Sequence, residues 1–182
     1  TGDYIVFCDI DDTVTEHIIK DNVELALRYE ADVVMFCFWY FDVDKEILTE
    51  NAMDRLFVGN AEEYFRDYLI PTIDTEVFNA PWNKMIKRSV LEKHGLSFHQ
   101  EYPIYEDIIF ASELLNVAEK IVVNNNMYYK YFVRSSGSLI TRFFEKYFDS
   151  VSFFHSNAMR YCEKYADKEK QIRRFNELYT KL

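Results

Sequence analysis

The stretch Val6-Phe-Cys-Asp-Ile-Asp-Asp-Thr-Val14 runs an apolar segment straight into Asp9, Asp11 and Asp12. Three carboxylates directly behind Tyr4-Ile-Val-Phe-Cys8 repel one another and resist burial, so they call for something that neutralises them. Asp9 and Asp11 are two residues apart, and on a continuing strand such a pair shares one face. Placed at a strand end, the pair can clamp one hard divalent cation, Mg²⁺ or Mn²⁺, which favours a few carboxylates plus phosphate oxygens. The same residues could instead present a carboxylate nucleophile, or simply form a solvated acidic turn. Asp12 reads equally as a third acid of the site or as a cap on the segment that follows. A second acidic pair, Glu106-Asp107, opens an apolar helical pattern, where the positive end of the helix dipole alone would favour it.

The bulk properties narrow the partners. The chain has 182 residues, 49% of them apolar and 18% aromatic, with only four Gly and three Pro; this is the composition of one folded domain with a substantial core. A net charge of −10 argues against nucleic acid as a partner, because affinity there comes from cationic contacts to phosphates. Cys8, Cys37 and Cys162 are odd in number and far apart, which suggests reduced, mostly buried thiols and a cytoplasmic setting. His17, His94, His99 and His155 show no zinc-type grouping. No uncharged run of transmembrane length and no signal peptide is apparent.

Strands and helices alternate along the chain. Asp3–Cys8 reads as a buried strand and 16–31 as a helix with Ile19, Val23, Ala26 and Leu27 at helical spacing. Asp32–Phe41 has the length and composition of a central strand buried on both faces. Residues 42–59 look like a turn and an excursion. Asn60 is a plausible N-cap with Glu63 at the third helical position, and Pro71 is expected to stop that helix. Residues 75–89 read as strand-like, broken by Pro81, with a short helix after them ended by Gly95. Residues 105–120 form a helix, two strands follow at 120–125 and 127–134, and from Leu139 the pattern is helical, with Phe143, Phe144, Tyr147, Phe148, Phe153 and Phe154 suggesting a core seam. This order gives an α/β domain with a mostly parallel or mixed sheet, in which acids at the carboxyl end of a strand sit where such sheets place ligands.

Two resemblances compete for the acidic cluster. Asp9-Ile-Asp-Asp-Thr-Val14 fits the opening motif of haloacid dehalogenase-type phosphatases, which would make Asp9 the nucleophile and Asp11 the general acid and base. That family also needs a Ser or Thr at the tip of a second strand, and Asp32–Phe41 offers none. Four ordered segments instead resemble the family 2 glycosyltransferases of GT-A fold. They are Gly2–Asp12, Asn79–Phe98 with its Trp82-Asn83-Lys84, Tyr105–Phe110 with its Glu-Asp pair, and Met127–Thr141 with its Tyr-x-Tyr-x-x-Arg. The likeness covers roughly residues 1–141. In that family, strands holding the nucleotide base precede the first segment, so the chain resembles the later part of such a domain (residues 1–140), followed by a helical C-terminal extension (141–182). The fold expected is therefore a partial GT-A-like, Rossmann-like mixed sheet flanked by helices.

The resemblance implies metal-dependent transfer of a sugar, with inversion, from a nucleotide-sugar donor to a hydroxyl on a glycan or lipid-linked acceptor. Asp9 and Asp11 would hold Mn²⁺ or Mg²⁺ against the pyrophosphate. Asp107 would take the acceptor proton, with Glu106 orienting the acceptor. Trp82, Asn83 and Lys84 would line the acceptor side, and Arg134 would bind the diphosphate. Trp82 as a core residue and Arg134 as a surface cation are the plain structural alternatives. Tyr128, Tyr129 and Tyr131 read as core and sheet residues. A cytoplasmic location at the inner membrane face, peripheral membrane association and a homo-oligomer are all compatible with this reading.

Overall fold

The computed structural model describes residues 2–102, 104–134 and 145–181. Its sheet is mixed and built around two long strands. β3 (Val33–Asp42) and β7 (Lys120–Val133) run parallel over their shared length, with Val33 opposite Ile121 and Asp42 opposite Val133. The other pairings are antiparallel: β6 (Lys84–Lys87) and β4 (Ile47–Asn51) pair with successive halves of β3, and β5 (Phe57–Asn60) and β2 (Thr13–Val14) with successive parts of β7. β1 (Tyr4–Val6) pairs with β6, giving the order β1-β6-β3-β7-β2.

Burial explains the two long strands. Val33–Phe38 are all fully buried, as expected of a strand covered on both faces. α1 (Ile18–Tyr29) lies against one side through Ala26, while α5 (Glu106–Val117) supplies Ile108, Ile109, Phe110, Ala111, Leu114 and Leu115 to the main core. β7 is a single strand, although its polar Asn124-Asn-Asn126 centre suggested two. A register irregularity opposite Phe36–Phe38 absorbs the extra residues there, and Asn124 is satisfied by Asn22 and Tyr128.

Other local expectations change for identifiable reasons. The 42–59 excursion contains β4 and β5; β4 carries the polar, exposed pattern of an outer strand and so escapes an apolar-run reading. α2 (Ala61–Asp67) starts on a full capping box: Asn60 Oδ1 accepts from the Glu63 N–H at 2.9 Å, and Glu63 Oε2 accepts from the Asn60 N–H at 2.8 Å. Pro71 does not end it. The break falls at Tyr68, and Pro71 sits in the first turn of α3 (Leu69–Asp74), where a missing N–H is harmless. Residues 75–83 are a buried turn rather than a strand, and only Lys84–Lys87 are extended as β6. α4 (Arg88–His94) ends on Gly95 at φ 63°.

The C-terminal helices α6 (Tyr147–Cys162) and α7 (Glu169–Tyr179) share the main core through Phe154, Ala158, Tyr161, Cys162 and Phe175. Phe65 stacks on Tyr165 at 4.2 Å, and its carbonyl accepts from Gln171 Nε2. Phe148, in contrast, is 78% exposed, and Phe143 and Phe144 lie outside the described residues. Cys37 and Cys162 are buried, whereas Cys8 is exposed. Among the described residues, no helix is long and apolar enough to cross a membrane.

Removing the α2 cap tests this local account. Asn60→Ala is expected to lower unfolding stability by about 1 kcal/mol, and Asn60→Gly by only a few tenths. Urea denaturation followed by circular dichroism reads both.

Candidate active site

β1 ends at Val6, so Asp9 and Asp11 lie not on a continuing strand but in a turn, closed by the Asp12 N–H donating to the Asp9 carbonyl at 3.3 Å. β7 holds that turn. The Tyr129 hydroxyl accepts from the Asp9 N–H at 3.0 Å and donates to Asp12 Oδ2 at 2.8 Å, while Asp12 Oδ1 accepts from the Phe132 N–H at 3.0 Å. Both Asp12 oxygens are therefore committed to the fold. Asp11 is exposed and forms an ion pair with Arg134 at 2.9 Å. Burial, then Asp12 and Asp11, push the Asp9 carboxyl up.

Glu106 and Asp107 are the first two residues of α5, behind Tyr105 in the left-handed region at φ 61°. A left-handed tyrosine is a costly conformation, and such strain is characteristic of functional sites. The helix dipole favours an ionised Asp107. Burial opposes it and wins: assisted by the charges of Glu106 and Asp9 and resisted by Lys84, it pushes Asp107 up to about 7. Asp107 thus shares an electrostatic environment with the acidic turn, although almost a hundred residues of chain separate them.

The Trp82-Asn83-Lys84 segment is placed differently from the acceptor-lining role expected of it. Trp82 is 4% exposed and stacks on Tyr129 at 4.4 Å and on Tyr131 at 5.4 Å. Asn83 and Lys84 are fully buried. Asn83 Nδ2 donates to the Phe36 and Val77 carbonyls, and Lys84 Nζ to the carbonyls of Val77, Phe78 and Ala80 and to Asn83 Oδ1. Asn83 and Lys84 face inward, because their polar atoms are spent on backbone carbonyls and on each other.

Sequence reasoning passed over Tyr40, Glu76, Tyr129 and Tyr131 as site residues. Tyr129 and Tyr131 alternate on β7, and that period of two was the available signal. Tyr131 is half-buried, and after desolvation its hydroxyl is pushed up by Asp12, Asp9, Asp107 and Asp11, so it stands among all four acids. Tyr40 donates to Glu76 Oε2 at 2.8 Å and also senses Asp107; Glu76 has φ 59°.

Among the described residues no group of three or more His, Cys, Asp or Glu side chains could hold a metal ion. Two carboxylates, Asp9 and Asp11, are the donors left once Asp12 is committed. Hard oxygen donors in that number suit Mg²⁺ or Mn²⁺ that takes its remaining ligands from phosphate and water.

The model of glycosyl transferase family 2 matches residues 1–95, just over half of the chain. The chain belongs to this family. A cholesterol galactosyltransferase of Borreliella burgdorferi is 23% identical over 139 residues, covering 73% of this family 2 chain and 38% of the relative. The crystal structure of Staphylococcus aureus TarS residues 1–349 in complex with UDP superposes with a TM-score of 0.71 at 17% identity, over all of this chain and 48% of that one. The complex of the same TarS fragment with UDP-GlcNAc gives a TM-score of 0.70 at 15% identity, over 97% and 48%. The family 2 chain thus spans less than half the length of these relatives, and the likeness to TarS establishes its GT-A-type mixed α/β fold.

Asp107 gives a test with a definite sign. Its carboxyl is raised from 3.8 to about 7 in the fold, so between those values the folded chain holds a proton that the unfolded chain releases. Stability therefore falls as pH rises through that window and stays low above it. Asp107→Asn is expected to match wild type near pH 4 and to exceed it by roughly 2–4 kcal/mol at pH 8, as read by urea unfolding.

Proposed function

We propose that this protein is an inverting, metal-dependent glycosyltransferase that moves a sugar from a nucleoside-diphosphate sugar, a UDP-sugar by analogy with TarS, to a hydroxyl on a glycan or lipid-linked acceptor. The observation that carries the reading is Asp107: a half-buried carboxyl at the start of α5, raised to near neutrality and set electrostatically against the acidic turn. A base works best with a pKa near the operating pH.

In this reading the Asp107 carboxylate accepts the proton of the acceptor hydroxyl. The freed oxygen forms a bond to the anomeric carbon as the bond from that carbon to the diphosphate oxygen breaks. The leaving nucleoside diphosphate keeps the electron pair, and a single displacement inverts the centre. Glu106 orients the acceptor from the adjacent position. Asp9 and Asp11 hold Mn²⁺ or Mg²⁺, which when bound offsets the charge developing on the diphosphate. Arg134 exchanges its Asp11 partner for the diphosphate, an exchange favoured by the exposure of that ion pair, since such pairs are weak. Trp82 contributes from behind, as the stacking base for Tyr129 and Tyr131. Beyond the Asp9–Val14 motif, nothing favours the phosphatase reading, and the family match goes to the glycosyltransferases.

Calorimetric titration with UDP tests this function. Binding is expected to require Mn²⁺, and Asp11→Ala is expected to weaken it about tenfold or more. Equal affinity with and without Mn²⁺, unchanged in the variant, would sink the metal-held donor site. Nuclear magnetic resonance of the product from a UDP-sugar is expected to show an inverted anomeric centre.

A further inference from the structure

His99 lies in the segment 96–102 that follows α4 and leads toward α5, and it has a carboxylate at each ring nitrogen. Its Nε2 is 3.0 Å from both oxygens of Glu113, on the helix that Glu106 and Asp107 open, and its Nδ1 is 3.3 Å from Oε1 of Glu101. A carboxylate only accepts, so each ring nitrogen must carry a proton, and only the imidazolium satisfies both contacts. A neutral ring would turn one lone pair toward a carboxylate. The His99 and Glu113 side chains are 28% and 19% exposed, so their pairing is screened less than an ordinary surface ion pair. Rings tie the same segment to the candidate site. Phe98 stacks on Phe110 of α5 at 4.6 Å and meets Phe7, two residues before Asp9, edge-on at 5.3 Å. Tyr102 stacks on Phe153 of α6 at 4.6 Å, and Phe153 meets the His99 ring edge-on at 5.3 Å.

We propose that His99 is a pH-dependent positioning residue for the base: charged, it clips the 96–102 segment to α5 and fixes how that helix presents Glu106 and Asp107, and the clip opens when the ring loses its proton. The inference rests on the glycosyltransferase reading of Asp107. The titratable groups facing the ring are Glu101 and Tyr102 in its own segment and Glu113 on α5; α6 presents the apolar Phe153, and Lys146 at its start acts on Glu101. Burial works against the charged ring, but the bonds and charges of Glu113 and then of Glu101 outweigh it, so His99 keeps its proton above its ordinary value. The clip is therefore complete at low pH and is lost as pH rises through the His99 midpoint. Its far end is legible at the entry to α5, where the Ile109 N–H donates to the carbonyl of left-handed Tyr105 at 3.1 Å.

The pH profile of sugar transfer tests this. It is expected to be bell-shaped, rising as Asp107 loses its proton and falling as His99 loses its own. Glu113→Gln keeps the shape and removes the charge. In it the His99 midpoint, followed by nuclear magnetic resonance, is expected to fall by about one pH unit, and the falling limb of kcat to move down with it while the rising limb stays. His99→Gln cannot titrate, so it is expected to lose the falling limb and to keep at every pH the reduced kcat that wild type shows above the His99 midpoint. If Glu113→Gln fails to fold, His99→Gln decides: a falling limb retained there overturns the proposal. So does a falling limb that stays in place in Glu113→Gln while the His99 midpoint moves. Hydrogen exchange at the Ile109 amide, corrected for its intrinsic pH dependence, reads the clip without turnover. Protection is expected to drop as pH rises through the His99 midpoint, and protection that is flat across it overturns the proposal. Protection that follows the midpoint in a protein that transfers no sugar would strike at the transferase reading alone.

Discussion

One phenol holds the acidic turn to the sheet. The Tyr129 hydroxyl receives the Asp9 N–H and gives its proton to Asp12, and Phe132 completes the tie through its own N–H. Without those bonds, three neighbouring carboxylates would drive the turn outward into water. With them, Asp12 absorbs the donors of β7, while Asp11 stays exposed and paired with Arg134. Tyr129 is itself fully buried and seated on Trp82. The acidic turn is thus anchored through Tyr129, itself stacked on Trp82, in the strands that form the core.

The same arrangement explains why the site is electrostatically strained. Asp9, Asp11, Asp12 and Asp107 converge on Tyr131, and burial penalises the charged forms of Asp9, Asp12 and Asp107. Folding brings these groups together at a cost the hydrophobic core must offset. Tyr105, ahead of α5, and Glu76, bonded to Tyr40, both hold left-handed backbones.

Much of the frame was legible in the sequence. The apolar run 33–41 could only be a strand covered on both faces. Asn60 with Glu63, and Gly95 after His94, marked helix ends whose geometry depends on local hydrogen bonds alone. The order of the acidic turn, the Trp-x-Lys segment, the Glu-Asp pair and the Tyr-x-Tyr strand pointed to the family. What could not be read were features decided by distant partners. β4 is exposed along Ile47–Glu50, with only Asn51 buried, so no apolar face marks it as a strand. Pro71 sits harmlessly because the helix before it had already broken at Tyr68. Lys84 was expected on the acceptor side, but the fold of the 77–80 turn wraps carbonyls around it. Asp12 read equally as a third acid or a cap, and it is instead the tie to β7, because its partner lies 117 residues away in sequence.

The parallel pairing of β3 with β7 has a consequence for how the chain acquires its structure. β3 is buried on both faces over Val33–Phe38, yet the strand that flanks it over its entire length begins only at Lys120. Antiparallel partners β4 and β6 come sooner but each covers only part of it. Such non-local pairing delays folding, because loop entropy is lost before the contact is gained. During synthesis on the ribosome, Val33–Phe38 would be the segment most exposed to wrong partners, and chaperone binding there would protect the nascent chain until β7 docks.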